Sequence, residues 1–427
     1  MSAAPEAPAA APVESAAAPP RTPPYRLFEV VGLELEYPIV GADLEVLHLV
    51  EDAFRGLAGR PTSDLEHGEA GFSNELADHV FELKTLVPAA SLVAAERALA
   101  DGVRHFNRHL AERWGARLLP TGMHPFMRPE EGRIWQRSGR PIYATYDRVF
   151  GIGGHGWLNV QSCHVNLPFG ETETDAVRLH EAIRSLLPYL PALAASSPVV
   201  EGKLGPAVDN RLTFYGGNQR RVPSISGQVI PEPMASLAAY KRDVLGTIYR
   251  DLRAIPEAAR LRHEWVNSRG AIVRFMRRAI EIRVLDTQEC PAMDVAVAAF
   301  LRGALAWLVR CLAAGELEPA EQAALVADYR STVAEGRAAR TTAGHLAPAG
   351  SRAGDLLASL LDRAREELPA DERPYVDRVA ERLATGNLSE RIRARVEPLP
   401  ERHREGALRE IYAELAVCLD QNRPWAG

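Results

Sequence analysis

Residues 30–40, VVGLELEYPIV, hold the feature that most restricts the fold: Glu34 and Glu36 alternate with Leu33, Leu35 and Tyr37 inside an otherwise apolar run. Alternation at period two is strand periodicity, so the two carboxylates share one face and the apolar side chains share the other. On that face the carboxylates stand roughly 6–7 Å apart. Acidic residues are disfavoured in strands and neighbouring like charges repel, so the pattern needs positive charge between or beside them. As a strand, this run puts one face on a core, and a bound cation would supply the charge that the other face needs.

The pattern recurs. SNELADHVFELKTLVP places Glu75 seven positions before Glu82, and Glu82 shares a strand face with Lys84 opposite Phe81 and Leu83. In AIEIRVLD, Glu281 and Arg283 face away from Ile280, Ile282 and Val284, and in WLNVQSCHVNLPFG a common face carries Ser162, His164 and Asn166. A solvated sheet face explains any one of these segments. Four of them, drawn from distant parts of the chain, predict convergence on one site. Glutamates with one histidine suit hard divalent cations such as Mg²⁺ or Mn²⁺, and Mg²⁺ commonly accompanies substrate phosphates. Arg269, Arg274, Arg277, Arg278 and Arg283 crowd into one short stretch, and Arg211 follows Asp209-Asn210. Arginine suits phosphate because its planar fork donates in pairs and keeps its charge. Most of these arginines read equally well as surface or ion-pair residues, but Arg283 stands beside Glu281 in an apolar strand.

A net charge of -6, with 46% apolar and 25% charged residues, describes a globular chain with no reason to bind nucleic acid. The cysteines, Cys163, Cys290, Cys311 and Cys418, show no C-x-x-C spacing, which predicts a reducing cytoplasm and no structural zinc. Residues 1–24, rich in Ala and Pro, read as a disordered tail without the features of a secretory signal. No uncharged apolar run approaches the roughly 20 residues of a membrane span, so no membrane contact is expected. Homo-oligomerisation is left open.

Strand-like stretches at 26–40, 157–168 and 278–286 mix with helical periodicity at 43–57, 91–114, 172–187, 234–252 and 294–313; Ser91 is the expected cap and Gly115 the expected stop of the second helix. That order predicts an α+β fold with an antiparallel or mixed sheet, not a doubly wound one. From 314 to 427 the composition shifts to Ala, Arg, Glu and Leu and predicts a helical C-terminal region after a catalytic domain at 25–313. GIGGHG, 151–156, fits G-x-G-x-x-G but leads into strand-like WLNVQ, so it reads as a turn. His105 and His109 read as surface residues, and Asp147 and His155 stay unassigned.

GLELE at 32–36, ELKT at 82–85 with Glu75 upstream, TGMHPF at 121–126, SCHVN at 162–166, LPALAASSP at 190–198 and EIRVLD at 281–286 together resemble the type-2 glutamate-cysteine ligase family of ATP-dependent carboxylate-amine ligases. The resemblance implies a glutamine synthetase-like fold whose antiparallel sheet forms a funnel for Mg²⁺-ATP and an amino-acid substrate. By position it implies Glu34, Glu36, Glu75, Glu82, His164 and Glu281 as metal ligands, with Mg²⁺ or Mn²⁺. It implies Arg283 and Glu281 at the reacting phosphate and Arg211 and Arg269 near phosphate or substrate. Asn166 stands where the family often has a second histidine, and the amine acceptor is not set by these residues. The implied reaction activates a carboxylate, glutamate first among candidates, as an acyl phosphate that an amine then displaces. No nucleophilic Ser or Cys is needed, and Cys163 receives no role. A metal-dependent phosphotransferase and an inactive nucleotide or amino-acid binding protein are the alternatives. Relief of packed negative charge predicts that Glu34→Ala or Glu281→Ala loses activity while keeping or gaining stability.

Overall fold

The computed structural model describes residues 25–427, so the tail expected at 1–24 lies outside the described residues. The strands are β1 (Gly32–Val40), β2 (Asp64–His67), β3 (Ala70–Asn74), β4 (Val80–Thr85), β5 (Arg117–Leu118), β6 (Ser162–Pro168), β7 (Val199–Val200), β8 (Lys203–Leu204), β9 (Ala271–Arg274) and β10 (Ala279–Asp286). An eight-stranded sheet runs in the order β2-β3-β4-β1-β6-β10-β9, with β5 paired to the end of β1, and β7-β8 form a separate hairpin. Every pairing along the sheet is antiparallel.

Period two sorts the two faces. Leu33, Leu35, Tyr37, Ile39, Phe72, Phe81, Leu83 and Val165 are buried in the main core behind the sheet. The helix Leu92–Trp114 lies against β3 and β4 there, and the helix Pro291–Ala314 crosses both it and the helix Glu173–Leu186. Gly102 allows the first of these contacts: a Cβ there would stand 2.8 Å from Leu83 Cδ1. Ser91 caps that helix by accepting from the Ala94 amide, and Gly115 ends it at φ 64°, as the sequence predicts.

Several boundaries depart from the sequence reading. The first strand starts at Gly32 rather than 26, because Phe28 is left-handed at φ 60° and turns the chain. Residues 41–49 turn back on β1, so the next helix begins at Val50. The glycines at 151–156 lead into a one-turn helix, His155–Leu158, and not into a strand: the Gly154 carbonyl accepts from the Trp157 and Leu158 amides, both at 3.0 Å. Strand β6 therefore begins at Ser162.

Beyond 314 the chain is helical, as expected, in Gln322–Glu335, Ala353–Ser359, Leu361–Glu367, Pro374–Thr385, Leu388–Val396 and Glu401–Gln421. The main core takes residues from both sides of that point, Leu325, Tyr329, Val376 and Val379 among them. Tyr189 donates to Asp328 at 2.8 Å, Arg302 pairs with Glu372 at 2.8 Å, and Arg382 pairs with the fully buried Glu289. Among the described residues one helix, Pro291–Ala314, is long and apolar enough to cross a membrane, but Asp294, Arg302 and Arg310 interrupt it and 72% of its most apolar window is buried inside the protein. All four cysteines are unpaired and buried.

Candidate active site

Register brings the charged residues together. Glu34 stands opposite Lys84 on β4 and His164 on β6, Glu36 opposite Glu82, and Glu281 opposite Asn166. All lie on the face turned away from the core, and Glu75 joins them from the loop after β3. Over this face is a cavity of about 490 Å³ whose lining includes Glu34, Glu36, Glu75, Glu82, His164, Arg211 and Arg283. Of the residues predicted from the sequence, two are absent from that lining. Glu281 is fully buried beneath it, and Arg269 is turned elsewhere.

The cavity is electrically two-ended. At one end Glu75 lies among acids: burial first, then the charges of Glu36 and Glu82, hold its carboxyl well above the usual carboxylate range. Burial also raises Glu36, against the pull of His164 and an amide donated by Ser162 at 2.8 Å. Glu82 is bound by Lys84 at 2.9 Å and accepts from Ser73. At the other end stand guanidiniums. Arg277 reaches from the β9-β10 turn to Glu34 at 2.7 Å, and Glu281 is gripped by Arg283 at 2.7 Å and by Arg274. Burial raises the Glu34 and Glu281 carboxyls, but His164 and Arg277 for the first, and Arg283 and Arg274 for the second, outweigh it and leave both below their ordinary value. His164 is squeezed between Glu34 (Nδ1 at 3.1 Å) and the Ser162 hydroxyl (Nε2 at 2.8 Å). Burial opposes its charge, yet the carboxylates prevail and its pKa is raised.

The donor chemistry fits a hard divalent cation, because the carboxylates of Glu36, Glu75 and Glu82 crowd together at that end, with Lys84 paired to Glu82. The geometry is not drawn tight around one: among the described residues no three His, Cys, Asp or Glu side chains are gathered closely enough to hold a metal ion. Lysine and arginine take the carboxylate oxygens of Glu34, Glu82 and Glu281 instead. Arg269 is likewise committed, bidentate to Glu232 at 2.6 and 2.9 Å and donating to the Ser224 carbonyl.

Other lining residues escaped the sequence reading. Tyr143, Tyr146, Trp157, Tyr215 and Trp265 form an aromatic wall opposite the sheet. They come from the helix Arg140–Phe150, the turn at 155–158 and two further segments, so no local periodicity links them. Arg274 and Arg277 were visible as part of a basic cluster, but only the register of β9 on β10 and the turn between them bring them to Glu281 and Glu34.

An antiparallel sheet with acids and arginines converging on its open face, and helices behind, matches at the level of family and fold the ATP-dependent amide-bond-forming ligases. A family model, glutamate-cysteine ligase family 2 (GCS2), matches residues 30–414, and the chain belongs to that family. An uncharacterised protein of Archaeoglobus fulgidus is 38% identical over 92% of this chain and 99% of its own length. A putative glutamate-cysteine ligase 2-3 of Rubrobacter xylanophilus is 29% identical over 70% of this chain and 72% of its own. Among solved structures, the fold is similar to glutamate-cysteine ligase from Francisella tularensis in complex with AMP (TM-score 0.60, 12% identity, covering 93% of this chain and 89% of that one). It is also similar to a bifunctional glutathione synthetase from Pasteurella multocida (TM-score 0.55, 16% identity), covering 91% of this chain and 52% of that one.

Proposed function

We propose that this protein activates a carboxylate, that of glutamate, with ATP and joins it to an amine through an acyl phosphate. The observation that carries the reading is the two-ended cavity, with acids at Glu36, Glu75 and Glu82 facing guanidiniums at Arg274, Arg277 and Arg283. A carboxylate attacking a triphosphate is a meeting of two anions, and such a cavity can hold both. Glu34, Glu36, Glu75, Glu82 and His164, which line the cavity, would hold Mg²⁺ or Mn²⁺, which supplies charge neutralisation and alignment of the phosphates when bound, whereas both oxygens of Glu281 are occupied by Arg274 and Arg283.

Arg283 and Arg211 present guanidinium groups to the transferring phosphoryl oxygens, where preorganised charge is worth most. Glu281 keeps Arg283 in place through its 2.7 Å pair and holds it charged, since burial alone would lower its pKa. Aromatic side chains of Tyr143, Tyr146, Trp157, Tyr215 and Trp265 line the cavity, and such a lining would limit water near an acyl phosphate that water would destroy. Family membership supports an enzyme of this general class. The free, buried cysteines suit the reducing cytoplasm in which the reading places it.

The test is isotopic. With ¹⁸O in the substrate carboxylate, turnover should deliver label into inorganic phosphate. Turnover without transfer would remove the acyl phosphate, and a stable phosphorylated product in place of an amide would mark a phosphotransferase.

A further inference from the structure

We infer that Asp286 is a positioning residue for Arg211, and that Ser196 and Gly122 complete a buried brace that fixes this guanidinium at the cavity wall before substrate arrives. The inference rests on the ligase reading above. It also joins three sequence motifs left without a role there: TGMHPF, LPALAASSP and the last residue of EIRVLD.

The brace is built from opposed charges and a missing methyl group. Arg211 Nε donates to Asp286 Oδ1, and the two side chains are 2% and 0% exposed. The Asp286 Oδ2 atom accepts from the Ser196 amide at 2.8 Å. The Ser196 hydroxyl donates to the Thr287 carbonyl at 2.8 Å and accepts from the Gly122 amide at 2.8 Å, tying the three segments into one knot. Gly122 has to be glycine: a Cβ there would stand 2.3 Å from Asp286 Cγ and drive the carboxylate off Arg211. The backbone of Arg211 is fixed as well, since its amide donates to Ser197 Oγ at 3.2 Å and Asp209 caps the same short helix through the Leu212 amide at 2.8 Å.

What remains of Arg211 is its Nη edge. It makes only long contacts, 3.4 and 3.3 Å, to the Arg283 carbonyl, and the residue lines the cavity. A buried ion pair is weak as a stabiliser, because desolvation cancels most of the attraction. Its physical value here is that the fork is oriented in advance, so little freedom is lost when an anion accepts from its free edge.

The experiment compares wild type, Asp286→Asn, Arg211→Lys and the double variant for binding of a magnesium-loaded non-hydrolysable ATP analogue by calorimetry. Thermal melting of each reports the folded fraction. Asp286→Asn keeps the shape and one acceptor but removes the charge, so binding should weaken about tenfold, the loss of one charge-assisted hydrogen bond. The double variant should be no weaker than Arg211→Lys alone, because both act through one guanidinium. If Asp286→Asn does not fold, Ser196→Ala, which deletes one hydroxyl, reads the same brace and should weaken binding a few-fold. Unchanged affinity in the folded variants, or additive effects, would overturn the inference while leaving the ligase reading intact. A wild-type protein that does not bind the analogue overturns both.

Discussion

At the scale of single residues, the half-buried Glu75 and the fully buried Glu281 face opposite fates. Glu75 is a carboxylate among carboxylates, with its pKa raised. Such a group contributes stability that is present below the unfolded pKa and lost as pH rises through the folded one, so at neutral pH it is a liability. Glu75→Gln is predicted to raise the melting midpoint at pH 7 and leave it nearly unchanged at pH 4. Glu281 sits between Arg274 and Arg283 with no exposure. Removing it strands two guanidiniums, so Glu281→Ala should cost roughly 3–5 kcal/mol in urea unfolding, the price of a broken buried pair. This corrects the sequence expectation that its loss would keep or improve stability. Alternation alone placed Glu281 and Arg283 on one face, whereas Glu75 lies in the loop after β3, where no strand periodicity applies. Which acid meets which base depends on cross-strand register and on a turn at 275–278, and neither is written in local periodicity.

At the scale of elements, long amphipathic segments with caps were legible and short irregular ones were not. The helix Glu173–Leu186 begins where predicted because Thr172 and Asp175 form a reciprocal cap, each side chain accepting from the other's amide at 3.1 Å. Thr172→Ala should cost about 1 kcal/mol in urea unfolding with ligase kinetics unchanged, since this end of the helix lies away from the cavity lining. The turn at 155–158 was misread because its backbone is set by long-range partners: Asn159 donates to the His124 carbonyl at 3.0 Å, and Asn218 donates to the Gly156 carbonyl. The aromatic wall was missed for the same reason, as its members meet only in the folded chain.

At the scale of the whole molecule, acid should be the chief enemy of the fold. Burial pushes His79 down to about 3, and His124 and His180 down to about 4. A base with a depressed folded pKa contributes stability above its unfolded pKa that is lost as pH falls. For these histidines the window opens near pH 6.5 and runs down to about 4. Among the described residues neither ring nitrogen of His180 has a partner, so burying it neutral is worth on the order of 3 kcal/mol across that window. Urea midpoints should fall steeply from pH 7 to pH 5, and His180→Leu should shrink the fall by about 2 kcal/mol. An unchanged fall would show that His180 is not a source of it.

The C-terminal helices hold the segment on which Ser196 is mounted. Asn387 donates to the Ala192 carbonyl at 3.2 Å and the Ser389 amide to the Ala195 carbonyl at 3.0 Å, while Arg382 and the Trp425 amide close on Glu289. A nascent chain leaves the ribosome N-terminus first, so the acidic strands emerge long before these clasps do. The segment that carries Ser196 gains these supports only once residues 382–425 have been translated, so the setting of Arg211 would tighten well after the acidic strands have emerged.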